Sequence, residues 1–157
     1  MIGPMIPDSR SGKHLNDGRR NHIHSQLRSN LQQFPGVDLV KYVDTRTGID
    51  RQLRADFDCS VFMSGELEIN EATLYMNWWT HSDGPDQFKF HYRDSSGYDC
   101  GWHRQENDHV EGIDHFQWRA DPEEDHQYEA VEFDYDQAPG ILWEVRERLE
   151  EHLSNRI

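Results

Sequence analysis

The spacing of hydrophobic positions changes along the chain, from a helical period to a strand period and back. The segment HIHSQLRSNLQQF places Ile23, Leu27, Leu31 and Phe34 on one helical face, and Pro-Gly at 35–36 ends it. From residue 37 onward apolar and polar residues alternate over short runs, which is typical of half-buried strands. An apolar stripe at helical spacing returns between residues 141 and 153, with a proline in its first turn. The pattern therefore predicts helix, strand meander, helix.

This order of elements is typical of an α+β fold. We predict a twisted antiparallel sheet of about five to seven strands, with an N-terminal and a C-terminal helix packed on one face. Residues 1–20 have no period and many Pro and Gly breakers, which predicts a flexible tail. The length of 157 residues suits one domain, which we place at residues 21–157.

The chain is strongly acidic and poor in lysine, which the hydrophobic pattern alone does not reveal. The net charge is −14, and only three of the sixteen basic residues are lysines. Such a composition on a foldable chain indicates a halophile's protein, since molar salt shortens the Debye length to roughly 3 Å and makes self-repulsion tolerable. We therefore interpret the acidity as an adaptation to salt, which leaves a nucleic-acid partner open.

Other features limit where the protein acts. The longest apolar runs are a few residues, and the N-terminus lacks the apolar core of a signal peptide. We expect a cytoplasmic protein without membrane contact. The oligomeric state is not indicated.

Candidate chemistry concentrates in the stretch GWHRQENDHVEGIDHFQWR, residues 101–119. It spaces His103, His109 and His115 by six residues, with Arg104 directly after the first histidine and Arg119 after the last. Histidine exchanges protons near neutral pH, and arginine holds a phosphate with two parallel hydrogen bonds. An acid, a base and a phosphate clamp are what RNA chemistry without a metal requires.

The runs HYRDSSG and WHRQEN add a resemblance. Residues 55–153 resemble the TumE-like toxin family of prokaryotic toxin–antitoxin pairs: Arg104 and Asn107 match the family's arginine and asparagine, and Glu106 stands in place of its aspartate. His109 and His115 fall where the family's loop places histidines. The resemblance implies a toxin that acts on RNA or the translation machinery, paired with a helix-turn-helix antitoxin.

Two sets of site residues follow. The predicted catalytic residues, of a ribonuclease or a transferase acting on RNA, are Arg104, Glu106, Asn107, His109 and His115. The predicted nucleic-acid-binding residues are His91, Arg93, His103, Trp118 and Arg119. Because side chains alternate along a strand, His103 and Arg104 share one site only if a bulge intervenes.

Two alternatives stay open. A sheet face rich in histidine and aromatic residues can bind a partner without catalysis. The second alternative is a small metal-binding enzyme, which requires the loop histidines to converge with Glu106 or Asp114. We expect no metal and no cofactor, because Arg104 and Arg119 bracket the loop and a cation near the site repels a metal ion. The remaining histidines of turns and the last helix are expected to be ordinary surface residues, namely His81, His126 and His152.

Overall fold

A computed structural model describes residues 17–45, 51–59, 69–105 and 112–155. It contains one antiparallel sheet in which the seven strands follow chain order, each beside the next. The predicted α+β fold is thereby confirmed. The strands are β1 (Val37–Asp44), β2 (Arg51–Phe57), β3 (Ala72–Trp79), β4 (Gln87–Asp94), β5 (Asp99–Arg104), β6 (Asp114–Arg119) and β7 (Gln127–Ala130).

The first helix, α1, spans Asp17–Gln32. It begins four residues before the predicted domain boundary, so residues 17–20 belong to the helix and not to the tail. Contacts with residues distant in sequence stabilise this additional turn. Arg19 forms an ion pair with Asp86, and Arg20 Nε donates to the carbonyl oxygen of Trp78 at 2.7 Å. These contacts hold the first turn of α1 against the end of β3 and the loop that follows it.

The second helix, α2, spans Ala138–Ser154, with the proline in its first turn as predicted. Its N-cap is Gln137, in an extended conformation and without a side-chain capping bond. Within the described ranges, no helix is both long and apolar enough to cross a bilayer.

One hydrophobic core fills the space between the helices and the sheet. Leu27 of α1 and Leu142 of α2 are fully buried in it, together with Phe90 of β4. His152 of α2 stacks on Phe116 of β6, with ring centres 4.4 Å apart. Both helices therefore cover the same face of the sheet.

The opposite face is polar, and we call it the helix-free face. In antiparallel strands, residues directly opposite each other point to the same side. Tyr75 is opposite His91, and His91 is opposite Gly101, so all three belong to this face. Its residues on β2–β6 include Arg54, Asp56, Thr73, Tyr75, Lys89, His91, Arg93, Asp99, Gly101, His103, His115, Gln117 and Arg119.

Candidate functional site

Four histidines gather on the helix-free face, and we call His91, His103, His115 and His126 the histidine cluster. His103 and His115 are direct partners on β5 and β6, with ring centres 5.0 Å apart. The ring of His91, on β4, lies 5.8 Å from that of His103. His126 precedes β7, and its ring lies 6.2 Å from that of His91. Neighbouring strands thus assemble a cluster that no single stretch of sequence contains.

Asp99 is the carboxylate of this cluster. Its Oδ1 lies 3.1 Å from His91 Nε2 and 2.6 Å from His126 Nε2. Arg119 Nε donates to the other oxygen, Oδ2, at 2.6 Å. Burial alone would raise the pKa of Asp99, but the hydrogen bonds from His91, Arg119 and His126 together lower it well below its usual value. Asp99 is therefore an ionised carboxylate held between two imidazoles.

Three histidines of the cluster are buried. His91 and His103 are each 6% exposed and His115 is 1% exposed. Burial is the main cause that lowers the pKa of each, and for His103 the pKa falls well below its usual value. The bond to Asp99 offsets part of this effect for His91. Near neutral pH these imidazoles are consequently uncharged.

Gly101 makes room for two of the rings. A Cβ atom at this position would lie 2.4 Å from His91 Nδ1 and 2.8 Å from His103 Nε2. Both nitrogens therefore border the same small space above Gly101. Among the residues that the structure describes, neither nitrogen has a hydrogen-bond partner, although both are buried. Unpartnered buried polar atoms are uncommon in native structures, so these two nitrogens call for an explanation.

An open groove of about 410 Å³ lies beside the cluster. Its floor includes the ring of Tyr75, which has the guanidinium of Arg54 at 6.0 Å and that of Arg93 at 5.7 Å. Arg54 Nε also donates to Asp56 at 2.8 Å. Since Tyr75 is the cross-strand partner of His91, the groove and the cluster adjoin. We call this feature the arginine–tyrosine groove.

Four of the five predicted nucleic-acid-binding residues lie together on the helix-free face. They are His91, Arg93, His103 and Arg119. Trp118 does not join them, because it is opposite Cys100 and stacks on Phe116 on the helix side, with ring centres 5.2 Å apart. Trp118 packs against the core and cannot stack on a base at this face.

Of the predicted catalytic residues, the structure describes Arg104 and His115, and it does not bring these two together. Arg104 lies on the helix side, where Nε and Nη2 donate to Asp114 at 2.7 and 3.0 Å. Its guanidinium lies 5.0 Å from the ring centre of Phe88. His115 is on the opposite face, so Arg104 cannot clamp a phosphate that His115 contacts. Glu106, Asn107 and His109 are outside the described residues.

Two residues of the cluster were not predicted. His126 was expected to be a surface histidine, but it bonds Asp99, which is 27 residues away in the chain. No spacing rule indicates that contact. Asp99 carried a weak signal, since it alternates with Gly101 and His103 and so shares their face.

The arrangement can bind a cation as well as exchange protons. One atom each from His91, Asp99 and His126 lies within 4.8 Å of the others, the only such group found among the described residues. Carboxylate and imidazole are ligands for transition metals.

Comparison with other proteins does not assign the site. No protein-family model, no curated protein and no solved structure matches the chain.

Proposed function

We propose that the protein acts on RNA through its helix-free face, as the cytoplasmic toxin of a toxin–antitoxin pair. The observation that carries the proposal is the charge of that face. Strands β2–β6 present four cations there, Arg54, Lys89, Arg93 and Arg119. The carboxylates that these strands place on the same face are Asp56 and Asp99, and each accepts a hydrogen bond from an arginine.

A cationic face on a chain of net charge −14 supports an anionic ligand. Acidic residues on this protein are abundant enough to have covered every surface. The strand positions of this face carry more cations than carboxylates, and phosphates are attracted by arginine and repelled by carboxylates, which favours a polyanion as the ligand. In the groove itself, Asp56, Glu71 and Asp94 lie beside Arg54 and Arg93. The resemblance of residues 55–153 to TumE-like toxins favours RNA as that polyanion.

The arginine–tyrosine groove suits a single strand. Tyr75 offers an aromatic ring for a base, and Arg93 is an exposed cation beside it. A base stacked on an aromatic ring contributes about 1–3 kcal/mol, and an arginine next to it binds the phosphate. Groove and cluster adjoin, so a strand bound in the groove passes close to His126, the half-buried member of the cluster.

Binding of a fluorescein-labelled single-stranded RNA, followed by anisotropy over a range of KCl concentrations, tests the proposal. Arg93→Ala should weaken binding and reduce the slope of log K against log salt by about 1. Tyr75→Ala should weaken binding by about 1–3 kcal/mol without reducing the slope. Arg146→Ala is the matched control, because it removes the same charge from α2, on the other side of the sheet. Equal binding by all three variants and the wild type would refute the RNA-binding groove.

Toxicity is a separate measurement. Expression in a sensitive host should arrest growth, and Arg93→Ala should relieve the arrest while Arg146→Ala does not. Coexpression of a helix-turn-helix protein encoded directly beside this gene should restore growth. If the protein binds RNA but does not slow growth, the RNA-binding groove is supported and the toxin proposal is wrong.

A second candidate is inhibition by occupancy, without a reaction. The burial of His91, His103 and His115 favours it, because rings that are 6%, 6% and 1% exposed do not contact a phosphodiester directly. Incubation of labelled RNA with the protein separates the two. Cleavage or modification that His126→Gln abolishes indicates an enzyme, whereas intact RNA that stays bound indicates occupancy.

A further inference from the structure

The sharing of Asp99 by two imidazoles has the dimensions of a metal site. Oδ1 lies 3.1 Å from His91 Nε2 and 2.6 Å from His126 Nε2. A metal ion about 2.0–2.2 Å from nitrogen and oxygen ligands holds neighbouring ligand atoms roughly 3 Å apart. Asp99 Oδ1 is near this spacing from both nitrogens, and the three atoms lie within 4.8 Å of one another. Movement of the two imidazoles toward a common centre would let all three atoms surround one ion.

The surroundings of Asp99 resemble the outer shell of a metal centre. Arg119 Nε donates to Oδ2 at 2.6 Å and leaves Oδ1 for the two imidazoles. Hydrogen bonds of this kind fix the orientation of a ligating carboxylate. His91 and Asp99 are buried on adjacent strands, which keeps both ligands in place.

The nitrogens above Gly101 supply an independent observation. With a proton on Nε2 toward Asp99, His91 Nδ1 is a buried acceptor that no donor of a described residue reaches. A metal ion that replaces this proton at Nε2 sends the ring proton to Nδ1. His103 Nε2, also buried and without a partner among the described residues, borders the same space.

We propose that His91, Asp99 and His126 bind one divalent transition-metal ion of the zinc type. Two histidines and one carboxylate leave a coordination position for water, which is the ligand set of catalytic and not of structural sites. His126 is half-buried, so the open position lies on its side.

This site replaces the expectation of a metal-free centre. That expectation depended on Arg104 and Arg119 repelling a cation. Arg104 lies on the other face of the sheet, and Arg119 is neutralised by Asp99. Lys89 and Arg93 still flank His91, so the affinity should be lower than that of a site with several free carboxylates.

The metal site does not depend on RNA binding. Full-length protein stripped with a chelator should bind one equivalent of cobalt(II), seen as visible absorption bands that an equivalent of zinc removes. His126→Gln and Asp99→Asn should each weaken cobalt binding more than tenfold, and Arg119→Gln about 10–100-fold. His22→Gln, an exposed histidine of α1, should bind like the wild type. Arg93→Ala, which weakens the RNA groove, should bind cobalt no less tightly than the wild type.

A second test uses only the wild-type protein, so its result does not depend on whether the variants fold. Zinc should protect His126, but not His22, from diethyl pyrocarbonate, read by peptide mass spectrometry. Equal modification of His126 with and without zinc would overturn the site. So would a wild type that binds no cobalt, or a folded His126→Gln that binds it as the wild type does.

Discussion

Arg104 and His115 lie on opposite faces of the sheet, although both belong to the stretch that carries the densest polar chemistry of the chain. Arg104 is bound to Asp114 at 2.7 Å on the helix side. His115 faces His103 across the strand pair on the other side. The polar cluster of the helix-free face is consequently formed by His91, Asp99 and His126 with the histidines beside them, and Arg104 is not part of it.

Arg104 should therefore matter for stability and not for RNA binding. Its side chain is partly buried, and it forms two bonds to Asp114. Arg104→Ala leaves that carboxylate without its partner, which we expect to cost about 1–3 kcal/mol of unfolding free energy. RNA affinity at the arginine–tyrosine groove should be unchanged. Urea denaturation and RNA anisotropy on the same variant check this, and a stable Arg104→Ala that fails to bind RNA would contradict it.

Gly101 should tolerate no side chain. A Cβ there would lie 2.4 Å from His91 Nδ1, 2.8 Å from His103 Nε2 and 3.0 Å from a backbone oxygen of β4. Gly101→Ala should destabilise the fold by about 1–3 kcal/mol, because rings locked between strands must move. Gly84→Ala is the control, since nothing lies within 4 Å of a Cβ at Gly84. Similar melting temperatures for both variants would show that the rings have more room than the structure indicates.

The protein should lose stability as the pH falls below about 6.5, the ordinary pKa of histidine. Burial lowers the pKa of folded His103 well below this value, so below pH 6.5 the unfolded chain binds a proton that the folded chain does not. The free energy of unfolding then falls with decreasing pH, by up to about 1.4 kcal/mol per pH unit for each such histidine, until the folded pKa is reached. Asp99, whose folded pKa is lowered, adds to the loss only below about pH 4, where the unfolded carboxyl takes up a proton.

His103→Gln should make this pH dependence less steep, whereas His22→Gln should not. Urea denaturation between pH 8 and pH 5 measures the slopes. Identical slopes for the wild type and His103→Gln would contradict this, because they would mean that His103 takes up its proton at the same pH in the folded and the unfolded chain.

Stability should also fall as the salt concentration is lowered. The net charge of −14 repels itself over a Debye length that grows from roughly 3 Å in molar salt to about 10 Å at 0.1 M. The melting temperature should therefore decrease on desalting. The double variant Glu123→Gln, Glu124→Gln, which removes two exposed carboxylates, should need less salt. A melting temperature that stays constant or rises on desalting would contradict the halophile interpretation.

Local patterns were sufficient for the elements of the fold. Leu27 and Leu31 recur at helical spacing, and Phe88, Phe90 and Tyr92 recur at strand spacing, and all five are fully buried. The period of an element states which of its residues share a side. The same rule correctly separated His103 from Arg104.

The composition of the site was decided by the tertiary structure. Side-chain alternation predicts that Asp99, Gly101 and His103 lie on one face of the sheet. It does not predict which residues of other strands lie beside them. His126 reaches Asp99 across 27 residues, and Arg119 across 20, because β6 and the chain before β7 fold back along β5. Likewise Trp118 was placed against the core because its cross-strand partner is Cys100 on the helix side. Periodicity is a property of neighbours along the chain, whereas a carboxylate held between two imidazoles depends on which distant segments pair and in what register.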